Sequence, residues 1–218
     1  MPLAYTKGSC DHCGSSDANT KYEDGHSFCY SCKKYINGDK DMEVQKVVPM
    51  TNHANSTLKT EGIIDAITER RIAKDTARLY NTQVKKTGTM STHHIYQYFD
   101  KNGTHVANKV REVQSKRFWS EGNLASSGLF GQNIFGKAGK FITVCEGEID
   151  AMSAYELLGS KWPVVSIKNG AASALQNCRD SFEYLNKFEK VVLCFDNDKP
   201  GKEAALQVAD LFEPNKCL

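Results

Sequence analysis

The chain has 218 residues, of which 40% are hydrophobic and 25% are charged, and its formal net charge is +2. This composition is typical of a folded protein with one core and a small accessory module, so it argues against a disordered chain, and the net charge neither requires nor excludes a nucleic-acid partner. No apolar run approaches the ~20 residues that span a bilayer, and the N-terminus lacks a signal-peptide core. We therefore expect a cytoplasmic protein with no membrane partner.

Four of the eight cysteines form two CxxC pairs near the N-terminus, separated by fifteen residues: Cys10, Cys13, Cys29 and Cys32. This spacing predicts one structural Zn²⁺ held by four thiolates, with no position open for a substrate. The alternative is a pair of redox dithiols or disulfides. A thioredoxin-type dithiol would follow a hydrophobic strand, whereas both pairs lie in a polar segment, which favours zinc. We predict a zinc ribbon over residues 1–37 that needs its metal to fold.

The next segments predict a linker and a mixed subdomain. Residues 38–59 have no sustained hydrophobic period and predict a flexible linker. Residues 61–80 favour a helix with several isoleucines directed to a core. Residues 94–112 predict a β-hairpin that turns at Asn102 and Gly103. We assign these elements to one subdomain, residues 60–136.

From Lys140 onward the pattern becomes strand, loop and helix, repeated three times. Continuous apolar runs at 140–145, 162–167 and 190–195 predict strands buried on both faces, and helical spacing follows the first and third runs. The sequence therefore predicts a parallel-sheet domain over residues 137–218, within a chain of the α/β class, α+β overall. Cys145 and Cys194 lie in two of these strands, and we expect both to be small buried hydrophobic residues.

Acidic side chains follow two of the predicted strands. Glu146 and Asp150 come after the first strand, and Asp196 and Asp198 come after the third. Because parallel strands end at the same edge of a sheet, we expect these carboxylates to cluster there, where hard oxygen ligands select Mg²⁺. The alternative is that the aspartates cap a helix and that Glu146 is a solvated loop residue. Two acidic loops in register favour a metal-assisted phosphoryl-transfer site.

These motifs resemble a known family. EGxxD at Glu146, Gly147 and Asp150, with DxDxxG at Asp196, Asp198 and Gly201, is similar to the signature of the TOPRIM domain of primases, topoisomerases and some nucleases. Together with the four-cysteine module, further segments resemble the primase half of the primase-helicases of short-tailed phages. These segments are DGHSFCYSC, NKVRE, LFG, CEGEID, PVVS followed by NGAAS, and CFDNDKPG. The likeness covers nearly the whole chain.

The resemblance implies a DNA primase, a nucleotidyltransferase that makes short RNA primers from NTPs on a single-stranded DNA template during DNA replication. It implies that the zinc ribbon reads a trigger sequence in the template, with Asp24 and His26 as contact residues. From spacing alone, His26 could equally be an exposed or capping histidine. It also implies catalytic Mg²⁺, for which Mn²⁺ is expected to substitute.

The resemblance assigns the catalytic role and the Mg²⁺ ligands to Glu146, Asp196 and Asp198. Glu146 could serve as a general base or as a metal ligand, and the sequence does not separate these roles. Asp150 lies one helical turn after Glu146 and is expected to support the metal shell.

Basic residues next to aromatic residues lie between the hairpin and the parallel sheet. They are Lys109, Arg111, Lys116 and Arg117, followed by Phe118 and Trp119. This pattern suits a path for the template or the incoming triphosphate, although a solvated charged strand is the alternative. The resemblance implies nucleotide contacts for Lys109 and Lys116, while the spacing leaves open whether Arg117 takes the role of Lys116.

The sequence contains no GxxxxGK[ST] phosphate loop, so we expect the helicase partner to be fused beyond this chain or separate, alongside a DNA polymerase partner. For a phage-encoded protein, the expected location is the cytoplasm of the bacterial host. The chain ends where the family has a further strand, which predicts an unpaired sheet edge and either a fragment or a companion chain. Two alternatives stay open, a non-catalytic DNA-binding protein similar to recombination mediators and a TOPRIM nuclease.

Overall fold

The computed structural model describes residues 5–22, 27–32, 34–36, 58–136 and 138–218. The chain divides into two compact units, Met1–Thr51 and Asn52–Leu218. Within the described ranges, none of the helices is both long enough and apolar enough to span a bilayer.

The first unit contains a four-stranded antiparallel sheet whose strands pair in chain order. The strands are β1 (Tyr5–Gly8), β2 (Asn19–Tyr22), β3 (Ser27–Cys29) and β4 (Tyr35–Ile36). The buried side chains described in this unit are those of Cys10, Cys29, Asn19, Thr20 and Ser27. Among the described side chains of this unit, these two cysteines and three polar residues form almost no hydrophobic core.

The second unit begins with another four-stranded antiparallel sheet, again ordered along the chain. Its strands are β5 (Thr82–Thr87), β6 (Met90–Phe99), β7 (His105–Glu112) and β8 (Phe118–Gly122). The predicted hairpin is confirmed as β6 and β7. At its turn, Asp100 Oδ1 accepts hydrogen bonds from the backbone N–H groups of Asn102 and Thr104, both at 2.9 Å. Gly103 has φ +79°, a conformation that glycine adopts without strain.

The predicted helix over residues 61–80 is wrong for most of its length. Ile63 exchanges two backbone hydrogen bonds with Val84 of β5, at 3.0 and 2.8 Å. Ile67 pairs with Ile72 around a 3-10 turn at Thr68–Arg70, and only α1 (Lys74–Leu79) is helical. Pairing with the edge of the sheet satisfies the backbone groups of this segment, so tertiary structure overrides its helical propensity.

The predicted parallel sheet is confirmed. It contains β9 (Gly139–Cys145), β10 (Val164–Ser166) and β11 (Phe188–Cys194) in the order β10-β9-β11. The expectation of an unpaired edge at β11 is wrong, because residues 216–218 pair with it in parallel. Leu193 N–H donates to Leu218 O, and Leu218 N–H donates to Val191 O, both at 2.9 Å.

Helices cover both faces of the parallel sheet. They are α2 (Glu148–Leu157), α3 (Ala174–Asp180), α4 (Phe182–Leu185) and α5 (Lys199–Ala209). Met152 of α2 packs in one core with Tyr96 and Tyr98 of the antiparallel sheet. Cys178 of α3 and Val208 of α5 pack in a second core. Helix α2 therefore lies between the two sheets, and α3 and α5 cover the other face of the parallel sheet.

The two strand cysteines differ in environment. Cys145 is buried as expected, whereas Cys194 is exposed, so that expectation is wrong for Cys194. Cys194 is the last residue of β11, at the end where the acidic loops begin. Its strand emerges there from between the covering helices, and burial falls along its final residues.

Candidate functional site

The four N-terminal cysteines converge on one point. The ligand atoms of Cys10, Cys13, Cys29 and Cys32 all lie within 4.8 Å of one another. Cys10 Sγ is 3.8 Å from Cys32 Sγ, and Cys13 Sγ is 3.6 Å from Cys29 Sγ. These contacts join each CxxC pair to the other, as a tetrahedral four-thiolate site requires.

Backbone turns prepare the thiols for this arrangement. Gly14 N–H donates to Cys10 O at 2.9 Å, and Cys29 N–H donates to Lys34 O at 2.9 Å. The backbone N–H of Cys32 lowers the pKa of Cys29 to about 6, while desolvation and the neighbouring thiols raise the pKa of Cys32 to about 11. Since a thiolate is the form that binds metals, the local backbone favours the ligand state at Cys29. The donor set fits a soft or borderline tetrahedral ion.

Glu146 occupies the centre of the acidic edge of the parallel sheet. It follows β9, the middle strand, and its half-buried carboxylate lies between the loops after β10 and β11. Oε1 accepts a hydrogen bond from Ala171 N–H at 3.1 Å, and Oε2 accepts one from Asp196 N–H at 3.3 Å. The two backbone donors orient the carboxylate and link both neighbouring loops to it.

Asp198 serves in part as a helix cap. Its Oδ1 accepts a hydrogen bond from Gly201 N–H at 2.8 Å at the start of α5, the role that the capping alternative predicted. A Cβ at Gly201 would lie 2.2 Å from Asp196 O, so only glycine fits there. The DxDxxG motif thus folds the loop tightly onto α5, with the Asp196 side chain exposed at the strand end.

Asp150 lies in the first turn of α2, close to the other acids. Its side chain reaches solvent, but desolvation by the surrounding protein, followed by the negative charge of Asp196, raises the pKa of Asp150 above its usual value. A Cβ at Gly147 would lie 2.7 Å from Asp150 Oδ2, so a larger residue there would displace the Asp150 carboxylate. The negative charges of Asp150 and Asp196 therefore repel each other. Among the described residues, however, only the four cysteines form a cluster of three or more potential metal ligands.

Lys109 lies in a buried network that sequence reasoning did not find. Its Nζ donates to Glu148 Oε1 at 2.7 Å and to Lys168 O at 2.6 Å. Tyr98 OH donates to the same Glu148 oxygen at 2.6 Å. The Lys109 and Glu148 side chains are only 13% and 5% exposed, so the pair is largely desolvated. This network joins the antiparallel sheet to the first turn of α2, two residues after Glu146.

The free energy of unfolding of a Lys109→Met variant is expected to be about 3–5 kcal/mol lower than that of the parent, because the Glu148 carboxylate would stay buried without its cation. Urea denaturation followed by circular dichroism measures this change. Lys101→Met, at an exposed lysine of the hairpin turn, is the control and should stay within about 0.5 kcal/mol. A loss below about 1 kcal/mol for Lys109→Met would show that the pair is not effectively buried.

The other predicted basic residues lie along β7 and its turn into β8. Arg111 is half-buried, with its Cζ 5.6 Å from the centre of the Phe118 ring, and its Nε is a buried donor without a partner among the described residues. Lys116 is exposed at the turn with φ +59°. Arg117 forms an ion pair with Glu112 at 3.3 Å, so Lys116 is less constrained than Arg117. Asp24 and His26, the predicted trigger contacts, lie outside the described residues.

The fold and the acidic edge define a TOPRIM-type domain, and the family model described as Toprim-like matches residues 143–218. The chain is also 33% identical over 215 residues to the DNA helicase/primase of Enterobacteria phage T3. That match covers 95% of this chain but only 38% of the T3 protein.

Two solved structures extend the likeness. The crystal structure of the primase fragment of the bacteriophage T7 primase-helicase is 33% identical, with a TM-score of 0.68, and the match covers 99% of this chain and 89% of the fragment. A second match is to a chain in a structure of T7 lagging-strand DNA polymerase interacting with primase domains bound to an RNA/DNA hybrid and dTTP. Its sequence is 34% identical to this chain, and the TM-score is 0.63. That match covers 71% of this chain and 77% of the other. The chain belongs to the family of the primase half of phage primase-helicases.

Proposed function

We propose that this chain is a DNA primase that makes short RNA primers from NTPs on single-stranded DNA. The supporting observation is the position of Glu146, whose carboxylate is held between the two loops at the end of a TOPRIM-type sheet. The 33% identity to the T7 primase fragment, over 99% of this chain, supports the same activity. The reaction is a nucleotidyl transfer, in which a hydroxyl attacks the α-phosphate of an NTP and pyrophosphate leaves.

Glu146, Asp196 and Asp198 would hold Mg²⁺, with Asp150 as a supporting acid and Mn²⁺ as a substitute. Their carboxylate oxygens are the ligands that Mg²⁺ prefers. When bound, the ion lowers the pKa of the attacking hydroxyl and neutralises charge on the leaving pyrophosphate. The N–H groups of Ala171 and Asp196 hold the Glu146 carboxylate in one orientation. The carboxylate is therefore already positioned to act either as a metal ligand or as a base.

The basic residues of β7 and its turn would bind the triphosphate or the template. Arg111 contributes a half-buried guanidinium beside the Phe118 ring, while Lys116 and Arg117 lie on the exposed turn. Lys109 can donate three hydrogen bonds, and Glu148 and Lys168 O accept two, which leaves one for a phosphate oxygen. The ring of Phe118, 5.0 Å from Lys109 Nζ, supplies an adjacent apolar face.

The cysteine cluster would hold one structural Zn²⁺ through four thiolates. By resemblance, its unit would read the trigger sequence of the template with Asp24 and His26. The T3 and T7 relatives are primase-helicases, so we also propose a helicase partner, and the T7 polymerase complex supports a DNA polymerase partner. The proposed location is the cytoplasm of the bacterial host.

One assay separates this proposal from its alternatives. The protein is incubated with single-stranded DNA, Mg²⁺ and labelled ribonucleotides, and the products are resolved on a denaturing gel. We expect label in short RNA that depends on the template. Cut DNA would indicate a nuclease instead, and bound but unchanged DNA would indicate a non-catalytic DNA-binding protein.

A further inference from the structure

A groove of about 390 Å³ opens at the end of the parallel sheet opposite the acidic loops. It lies where β9, β10 and β11 begin, whereas Glu146 and Asp196 follow the strand ends. Its apolar lining comes from Ile134, Phe135, Phe141, Trp162, Pro163 and Phe188. The volume lies within the range of about 300–1,000 Å³ that is typical of ligand-binding clefts.

The aromatic residues of the groove are fixed in place. Phe188 is 1% exposed and forms part of the sheet core, and its ring would lie 3.3 Å from a Cβ at Gly139. The rings of Phe141 and Trp162 meet edge to face, with their centres 5.7 Å apart. Trp162 is nevertheless 42% exposed, although tryptophan is highly buried on average. The groove can therefore receive an apolar side chain with little rearrangement.

Two lysines give the groove a positive charge. Lys140 and Lys161 both line it, and both are exposed. Lys140 Nζ lies 5.8 Å from the centre of the Phe141 ring. In the described part of the chain, neither lysine forms an ion pair. An apolar cleft with two uncompensated ammonium groups is complementary to an apolar side chain flanked by carboxylates.

We propose that this groove is a docking site for an acidic segment of a partner protein that inserts an aromatic side chain next to Trp162. Tryptophan is among the residue types enriched at the energetic hot spots of protein interfaces, and such residues pair with a partner group in a well-packed pocket. Single-stranded nucleic acid is less suitable, because it needs a row of cations and successive open stacking faces. Here the Phe141 and Trp162 rings pack edge to face against each other, so they do not form two parallel stacking faces for successive bases. Because the acidic loops lie at the opposite sheet end, a docked partner would leave them open.

The test uses the full chain with Trp119→Phe, so that Trp162 is the one remaining tryptophan. The probe is a short synthetic peptide in which aspartates flank a single phenylalanine. We expect a saturable change in Trp162 emission that weakens with added salt. Lys140→Glu with Lys161→Glu should weaken binding about tenfold or more. The matched control, Lys101→Glu with Lys187→Glu, reverses two exposed lysines outside this groove and should bind as the parent does.

Four further measurements test the proposal. A peptide with lysines in place of the aspartates, and one with alanine in place of phenylalanine, should both fail to bind. If the lysine peptide binds as well as the acidic one, or if the acidic peptide leaves Trp162 emission unchanged, the proposal is wrong. Tighter binding of single-stranded DNA at Trp162 would also overturn it. Should the double reversal disturb folding by circular dichroism, Lys140→Ala with Lys161→Ala replaces it and should weaken binding in the same direction.

Discussion

Glu146→Gln is expected to lower the rate of primer synthesis about 10³-fold or more while leaving binding of single-stranded DNA unchanged. The substitution keeps the size of the side chain and one oxygen that can accept from Ala171 or Asp196 N–H. It removes the negative charge that a metal ligand or a general base needs at this position. Labelled-ribonucleotide incorporation measures the first effect, and fluorescence anisotropy of a labelled oligonucleotide measures the second.

Glu189→Gln is the matched control, because Glu189 is exposed near the start of β11, at the other end of the sheet. It makes the same chemical change away from the acidic edge, so its rate should equal that of the parent. Dinucleotide synthesis by Glu146→Gln at the parental rate would remove Glu146 from the catalytic site. Equal losses of synthesis and DNA binding would instead indicate a folding defect, which thermal denaturation would reveal.

Removal of metal from the cysteine cluster is expected to unfold the first unit and leave the second folded. The described side chains of the first unit bury two cysteines and a few polar residues, so we expect its stability to depend on the proposed Zn²⁺, since bound zinc contributes on the order of 10 kcal/mol in small zinc modules. Hydrogen exchange measured by mass spectrometry should show loss of protection in β1 to β4 after chelation. The strands β5 to β11 should keep theirs, because they have hydrophobic cores of their own.

Cys29→Ser should reproduce the effect of chelation, and Cys217→Ser should not, because Cys217 packs against the core of the parallel sheet. Priming on trigger-containing templates should fall with the loss of the first unit. Readdition of Zn²⁺ should restore protection in the parent and not in Cys29→Ser. Full protection in the metal-free protein would mean that hydrogen bonds and disulfides hold the first unit, as the redox alternative requires.

The sequence predicted those features whose physical cause is local. The cysteine spacing is set by the turn that each CxxC pair makes, and the acids follow strands whose continuous apolar runs are visible in the sequence. The helix over residues 61–80 was wrong because the deciding partner, Val84 of β5, lies outside the segment. Likewise, Tyr98, Lys109 and Glu148 meet across separations of 39 and 50 residues, and no local pattern announces such a contact.

Some residues had a signal that was available but ambiguous. Glu148 stands between the two acids of the EGxxD motif, where it could have been read as another metal ligand. The structure directs it instead to Lys109 and Tyr98. Cys194 belongs to an apolar run, and only the position of the last strand residue relative to the covering helices determines that it is exposed.

The order β10-β9-β11 has a consequence for how this site could change over time. The chain leaves β9 toward one face of the sheet, through α2, and leaves β11 toward the other, through α5, so a crevice opens between the two loops. The strand order creates that crevice, and the loop side chains line it and determine its chemistry. Loop substitutions can therefore alter or abolish the chemistry while the cleft persists, which is how one scaffold can host polymerising, cutting and non-catalytic descendants.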